Sequence, residues 1–281
     1  MSKPTSSRAR KQAAAKRARR QQRSHFGWIV GGVAVVIVVA LVAALAIGGG
    51  SKKNTSPDRL PASPALVTKT TSVPASVFNT IGTGTISGVP QPVNGTPLTA
   101  GGKPLVLYIG AEYCPYCATE RWPMVVALSK FGTFAGLKTT TSSSTDVYAD
   151  TPTWSFYQST YSSPYITFQS VETATRTGAP LEQPTAEQLA IQQQYDPKLT
   201  IPFLQLGGKY LITSATYDPG VLQNKTHDQI AGALSDPNSD VAKGAIGASN
   251  TMIAAICNLT KNQPANVCTQ PAVKAIQQHL G

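Results

Sequence analysis

The sequence predicts a mixed α/β domain carried behind one N-terminal transmembrane helix. Three observations lead there: an uncharged apolar run from Trp28 to Ile47, a strand-length apolar run at Pro104–Gly110 that passes straight into Cys114, and a late strand pair that turns at Gly207-Gly208. The first run, WIVGGVAVVIVVALVAALAI, has the length that crosses ~30 Å of hydrocarbon as a helix. It is apolar on every face, which sets it apart from a core helix of a soluble protein. Its length and its long basic lead favour an uncleaved anchor over a cleaved signal peptide, for which Ala44-Leu45-Ala46 would be the cleavage site.

Charge gives the orientation. The 281-residue chain carries 24 Lys plus Arg against 13 Asp plus Glu, a formal +11 that alone would suggest nucleic acid or an anionic membrane as partner. Nine of the bases (Lys3, Arg8, Arg10, Lys11, Lys16, Arg17, Arg19, Arg20 and Arg23) lie in the first 23 residues with no acid among them. The rest of the chain is nearly neutral, so no nucleic-acid face is expected on the folded part. The basic tail over residues 1–27 reads instead as a cytoplasmic topology signal, with residues 28–47 as the span in the cell membrane and the remainder extracytoplasmic. A hydrophobic fraction of 41% excludes a wholly disordered chain. Gly-, Ser- and Pro-rich sequence after the span predicts a flexible tether over 48–72, which would hold a domain over 73–281 close to the membrane surface.

Within that domain an amphipathic stretch at 73–81 predicts a first helix, followed by a Gly- and Pro-rich connection. Pro104–Gly110 is a continuous apolar run suited to a strand covered on both faces. PYCATERWPMVVALSKF, residues 115–131, predicts a buried helix kinked at Pro123. Strands are expected at 137–143, 153–158 and 165–171, a polar helix at 185–195, and strands at 201–206 and 210–213. Helices near 226–234, 239–258 and 271–280 complete the chain.

The chemistry centres on Cys114-Pro115-Tyr116-Cys117. At the start of a helix, unpaired N–H groups and the positive dipole end favour a thiolate on Cys114 and make it the nucleophile. Cys117, one turn on, is placed to resolve a mixed disulfide. Pro115 has no N–H to leave unbonded in the first turn and presets helical φ. Zinc would need two more ligands, and the widely spaced Cys257, Cys268, His227 and His279 do not offer them, so no metal or other cofactor is expected. A purely structural disulfide is the simpler alternative for the pair, although so short a loop gains little from closure.

A cysteine pair at a strand-to-helix junction resembles the thioredoxin superfamily. Thr200-Ile-Pro-Phe-Leu-Gln-Leu-Gly-Gly-Lys-Tyr210 strengthens the resemblance, being similar to the segment in which such proteins open a strand with a cis-proline. The resemblance implies that Pro202 is that cis-proline, facing the cysteines and leaving the preceding backbone free for an extended substrate. GAEYCPYCATERW, VALSKFGTF, TWSFY, SSPYITFQSVE and AAICNLT together resemble the family known as domain of unknown function 929, over most of residues 70–280. That implies a thioredoxin-like domain with a helical and aromatic insertion before the cis-proline and helices at the C-terminus. The sequence departs from ordinary thioredoxins in having Tyr113 where a Trp is customary and Pro-Tyr between the cysteines.

Around the motif, Glu112 and Glu120 would oppose a thiolate and Arg121 would favour it, so the sign of their net effect is open, and solvated charges at a helix start are the simpler reading. Tyr113 and Tyr116 form either an apolar lip for a peptide or a local packing pair. Cys257 and Cys268, the remaining cysteines, are most economically a structural disulfide, with an electron relay to Cys114 and Cys117 as the alternative.

These readings predict a membrane-anchored extracytoplasmic thiol–disulfide oxidoreductase. It would be oxidase- or isomerase-like rather than reductive, because a reductase there needs electrons delivered through the membrane and this chain has one span. Its expected partners are exported thiol or disulfide proteins and a membrane redox protein. The alternative is a non-catalytic interaction module with a permanent disulfide, binding through the aromatic insertion Trp154–Phe168.

Overall fold

The computed structural model describes residues 58–280. The basic tail, the span at 28–47 and residues 48–57 of the tether lie outside the described residues. Among the described residues, no helix is long and apolar enough to cross a membrane.

The end of the expected tether is structured. Strand β1 (Leu60–Pro61) pairs antiparallel with Thr139 and Lys138, and helix α1 (Pro64–Thr71) follows at once. Ser63 caps α1 by accepting the Leu66 N–H at 3.2 Å, and Pro64 presets the first turn. Leu66 and Thr70 are buried, so the ordered domain is under way well before residue 73. The segment's few apolar residues hide this in the sequence. Its threonines fold their hydroxyls back onto the helix, Thr70 to the Leu66 carbonyl and Thr71 to that of Val67, both at 3.0 Å. Helix α2 (Ala75–Ile81) is the expected first helix.

The main sheet has six strands: β2 (Gln91–Pro92), β3 (Thr99–Ala100), β4 (Lys103–Gly110), β9 (Thr167–Glu172), β10 (Phe203–Leu206) and β11 (Tyr210–Ile212). Its order is β2-β11-β10-β4-β3, with β9 also on β4. β4 runs parallel to β9 and antiparallel to β10, in registers that put Tyr108 opposite Ser170 and Leu204. Successive β4 side chains point to opposite faces. Val106 and Tyr108 enter the larger core with helices α3 (Pro115–Leu128) and α6 (Asp240–Leu259), while Leu105, Leu107 and Ile109 join Ile191 of α4 (Ala186–Tyr195) on the other side. Two covered faces explain why this strand reads as an unbroken apolar run. The β10–β11 turn uses Gly207 and Gly208 at φ +60 and +76, where a side chain would be strained.

α3 runs unbroken through Pro123. Proline has no N–H to give the carbonyl four residues back, that of Thr119. The Tyr217 hydroxyl supplies the missing donor at 3.0 Å. Ser249 of α6 then reaches the Pro123 carbonyl at 3.2 Å and fastens the two central helices together.

The insertion after α3 is largely strand rather than helix, with α4 as its one helix. β6 (Lys138–Thr141) and β7 (Pro152–Ser155) complete a three-stranded sheet with β1, and β5 (Thr133–Ala135) pairs with β8 (Thr160–Ser162). Its aromatic rings turn inward. Phe134, Phe156, Tyr161 and Phe168 form one cluster, Trp154 stacks edge-on to Trp122 with centroids 5.3 Å apart, and none of the exposed large hydrophobics lies in 154–168. Trp154 and Phe156 are buried, while Tyr157, Tyr161, Tyr165 and Phe168 are half-buried.

Helix α5 (His227–Ala233) starts at a Thr226–Gln229 capping box, and α7 (Ala265–Cys268) and α8 (Pro271–Gln277) pack after α6. A disulfide joins Cys257 to Cys268 across the α6–α7 connection. The Gln263–Pro264 peptide in that connection is cis, which the sequence did not suggest.

Candidate functional site

Cys114 stands where β4 gives way to α3. Its N–H reaches the Ala111 carbonyl at 3.3 Å, closing the short turn that leaves the strand. Its backbone is extended, at φ −75 and ψ 120, which makes it the N-cap of α3. The Cys114 carbonyl accepts the Ala118 N–H at 2.9 Å, and its Sγ accepts the Cys117 N–H at 3.2 Å. Sulfur thus occupies the place that a serine or aspartate oxygen takes in ordinary caps. Pro115 fills the first helical position, as expected.

The two thiols are unlike. A hydrogen bond from the Cys117 thiol holds Cys114 below the ordinary thiol range, aided by the Cys117 and Tyr116 N–H groups and the Arg121 charge, against the opposing effect of its own burial. Burial pushes the Cys117 thiol well up. Cys114 is 6% exposed and Cys117 is 0% exposed, and both are free thiols. The thiolate therefore belongs on Cys114, the less buried of the two sulfurs.

The Ile201–Pro202 peptide is cis, and the Ile201 carbonyl lies 4.0 Å from Cys114 Sγ. Chain segments 87 residues apart meet here. The approach to Pro202 is pinned from the end of α4: Asp196 Oδ2 accepts the Thr200 N–H at 2.6 Å, and Gln192 Nε2 donates to the Thr200 carbonyl at 3.1 Å.

Tyr113 and Tyr116 are 36% and 39% exposed on either side of Cys114. Tyr116 also meets Tyr148 edge-on at 6.2 Å, a local packing contact, while both tyrosines stay partly exposed. The Ser143 N–H donates to the Tyr113 carbonyl at 2.8 Å, which brings the β6–β7 loop alongside this rim.

The charged neighbours are not solvated. Glu112, Glu120 and Arg121 are each 0% exposed. Glu112 accepts from Ser155 Oγ and pairs with Arg59 at 2.7 Å, and burial raises its pKa. Glu120 accepts from the Thr216 N–H at 2.9 Å and from its hydroxyl, and burial pushes it up to about 7. Arg121 binds Glu172 with two hydrogen bonds, Nε to Oε1 at 2.9 Å and Nη2 to Oε2 at 2.6 Å. Its partner is thus a carboxylate at the end of β9, and its pull on Cys114 is secondary to the hydrogen bonds there.

Sequence reading missed Glu172, Tyr108, Thr216, Ile201 and Arg59. The available signal was Glu120-Arg121 inside an otherwise all-round apolar helix, since charges on a buried helix require partners. Glu172, closing the SSPYITFQSVE run, was the natural candidate.

No curated protein and no solved structure matches the chain. Residues 90–198, which include β4, both motif cysteines and Glu172 but stop short of Pro202, match the family model described as domain of unknown function (DUF929).

Proposed function

We propose that the protein is a thiol–disulfide oxidoreductase built on a thioredoxin-like domain, anchored by residues 28–47 and working on the extracytoplasmic side of the membrane. One observation carries the reading: Cys114, the less buried and lower-pKa thiol, caps α3 with Cys117 one turn behind it and the carbonyl before cis-Pro202 4.0 Å from its sulfur. The topology supports it. The strand order β9-β4-β10-β11, with only β10 antiparallel between β4 and β11 and a helix after each of β4 and β9, is the βαβ-then-hairpin arrangement that the thioredoxin resemblance implies. In such a site Cys114 forms the mixed disulfide and Cys117 releases it. Oxidation or isomerisation of exported proteins is the favoured direction, with a membrane redox protein as the electron acceptor.

Two measurements test this. Replacing Cys117 with Ala in cells should trap substrate proteins disulfide-linked to Cys114. A chain that co-purifies with partners yet never traps one is a binding module and not an enzyme. The reduction potential of the pair then gives the direction: about −120 mV marks an oxidant and about −270 mV a reductant.

A further inference from the structure

Cys117 and Arg121 lie four residues apart on α3 and therefore on one side of the helix, and both are fully buried. Arg121 commits Nε and Nη2 to Glu172 and leaves Nη1 with no hydrogen-bond partner. Its guanidinium carbon is 5.7 Å from the centre of the Tyr108 ring, and the Tyr108 hydroxyl is likewise buried without a partner. That hydroxyl lies over Gly110, where an added Cβ would come within 2.0 Å of it. The backbone of the next residue, Ala111, favours the Cys117 thiolate and partly offsets its burial. The Arg121 charge favours a Cys117 thiolate, and a charge on Cys117 is felt at Tyr108. Two uncommitted donors in the interior are costly unless something calls on them.

We propose that Arg121 and Tyr108 are positioning residues that stabilise the Cys117 sulfur when it leaves as a thiolate. This rests on the thiol–disulfide reading above. A substrate thiolate attacks Cys114 Sγ of the oxidised pair, a substrate–Cys114 disulfide forms, the Cys114–Cys117 bond breaks, and its electron pair departs on Cys117 Sγ. That anion arises in the interior, where water cannot solvate it. The unpartnered guanidinium N–H of Arg121 and phenol O–H of Tyr108 are the buried donors that can turn to it. The Cys117 thiolate then takes up a proton. A second substrate thiol gives up its proton and attacks the substrate sulfur of the mixed disulfide, expelling Cys114 as thiolate, so two electrons pass from two substrate thiols to the cysteine pair. Glu172 holds the guanidinium in this position through its two hydrogen bonds.

The test measures how fast glutathione opens the Cys114–Cys117 disulfide in the full chain. Tyr108→Phe, which keeps the ring and removes only the hydroxyl, should slow opening by about tenfold, and Arg121→Met with Glu172→Gln should slow it further. The control is the Cys117→Ala chain preloaded with glutathione on Cys114, in which the bond being broken does not involve Cys117. There Tyr108→Phe should have a much smaller effect, since Tyr108 couples less to Cys114 than to Cys117. Unchanged opening in Tyr108→Phe would overturn the proposal, and so would equal slowing of both reactions, which would mark a general structural effect. Should the double replacement fail to fold, Tyr108→Phe decides alone. Failure of the unaltered pair to open at all would remove the oxidoreductase reading as well, whereas normal opening with insensitive variants removes only this one.

Discussion

Glu120, buried in the middle of α3, is held by the backbone N–H and hydroxyl of Thr216, and no ion pair reaches it among the described residues. Burial dominates these hydrogen bonds and pushes its pKa from 4.5 to about 7. A carboxyl raised in the folded state is one whose ionisation opposes folding. Its penalty is absent below the unfolded value, grows as pH rises toward 7 and is constant above that. The full penalty is on the order of 3 kcal/mol. Glu120→Gln should therefore leave stability at pH 4 nearly unchanged and raise it at pH 8, flattening the decline between. Thermal unfolding of both proteins across pH 4–8 measures this, and a variant less stable than the parent at pH 8 would contradict the assignment.

Reactivity follows the asymmetry of the thiols. With Cys114 held low by its hydrogen bonds and Cys117 pushed up by burial, iodoacetamide should modify Cys114 first. The rate-against-pH curve for Cys114 should inflect below the ~8.5 of a free cysteine. Cys117 should stay protected until the domain unfolds. Peptide mapping by mass spectrometry reads both sites, and an inflection coincident with free cysteine would remove the activated thiolate.

What could be read from sequence was whatever depends on near neighbours. The β4 run, the start of α3 at the cysteine pair and the helix near 226–234 are local, so composition and spacing reveal them. Pro202 was reached through a resemblance, because nothing local distinguishes it from a trans proline. What escaped was pairing over distance: Arg121 meets Glu172 51 residues on, and Glu120 meets Thr216 96 residues on. Equally distant is the donor that satisfies the Thr119 carbonyl left open by Pro123, which comes from Tyr217.

Cys257 and Cys268 are 11 residues apart in sequence, and closing so short a loop constrains the unfolded chain by about 3 kcal/mol. Replacing both with Ala should lower stability by about that amount in urea unfolding. The same protein should open its Cys114–Cys117 disulfide with glutathione at the parent rate. A drop in that rate at unchanged stability would reverse the assignment from structural bond to electron relay.

The Arg121–Glu172 pair is predicted to matter for the architecture as well as the chemistry. Both side chains are fully buried, and Glu172 Oε1 also accepts the Phe156 N–H at 3.2 Å, tying the insertion to the end of β9. Removing one partner strands the other's charge in the interior, at a cost of about 3–5 kcal/mol. Glu172→Ala should therefore destabilise the domain by roughly that much and speed hydrogen exchange at the Phe156 amide. Arg121→Met combined with Glu172→Gln leaves no stranded charge and should be less destabilising than Glu172→Ala, a non-additivity that urea unfolding followed through the buried Trp122 and Trp154 can resolve. A single replacement that is nearly neutral, with Phe156 exchange unchanged, would show that the pair does not anchor the insertion.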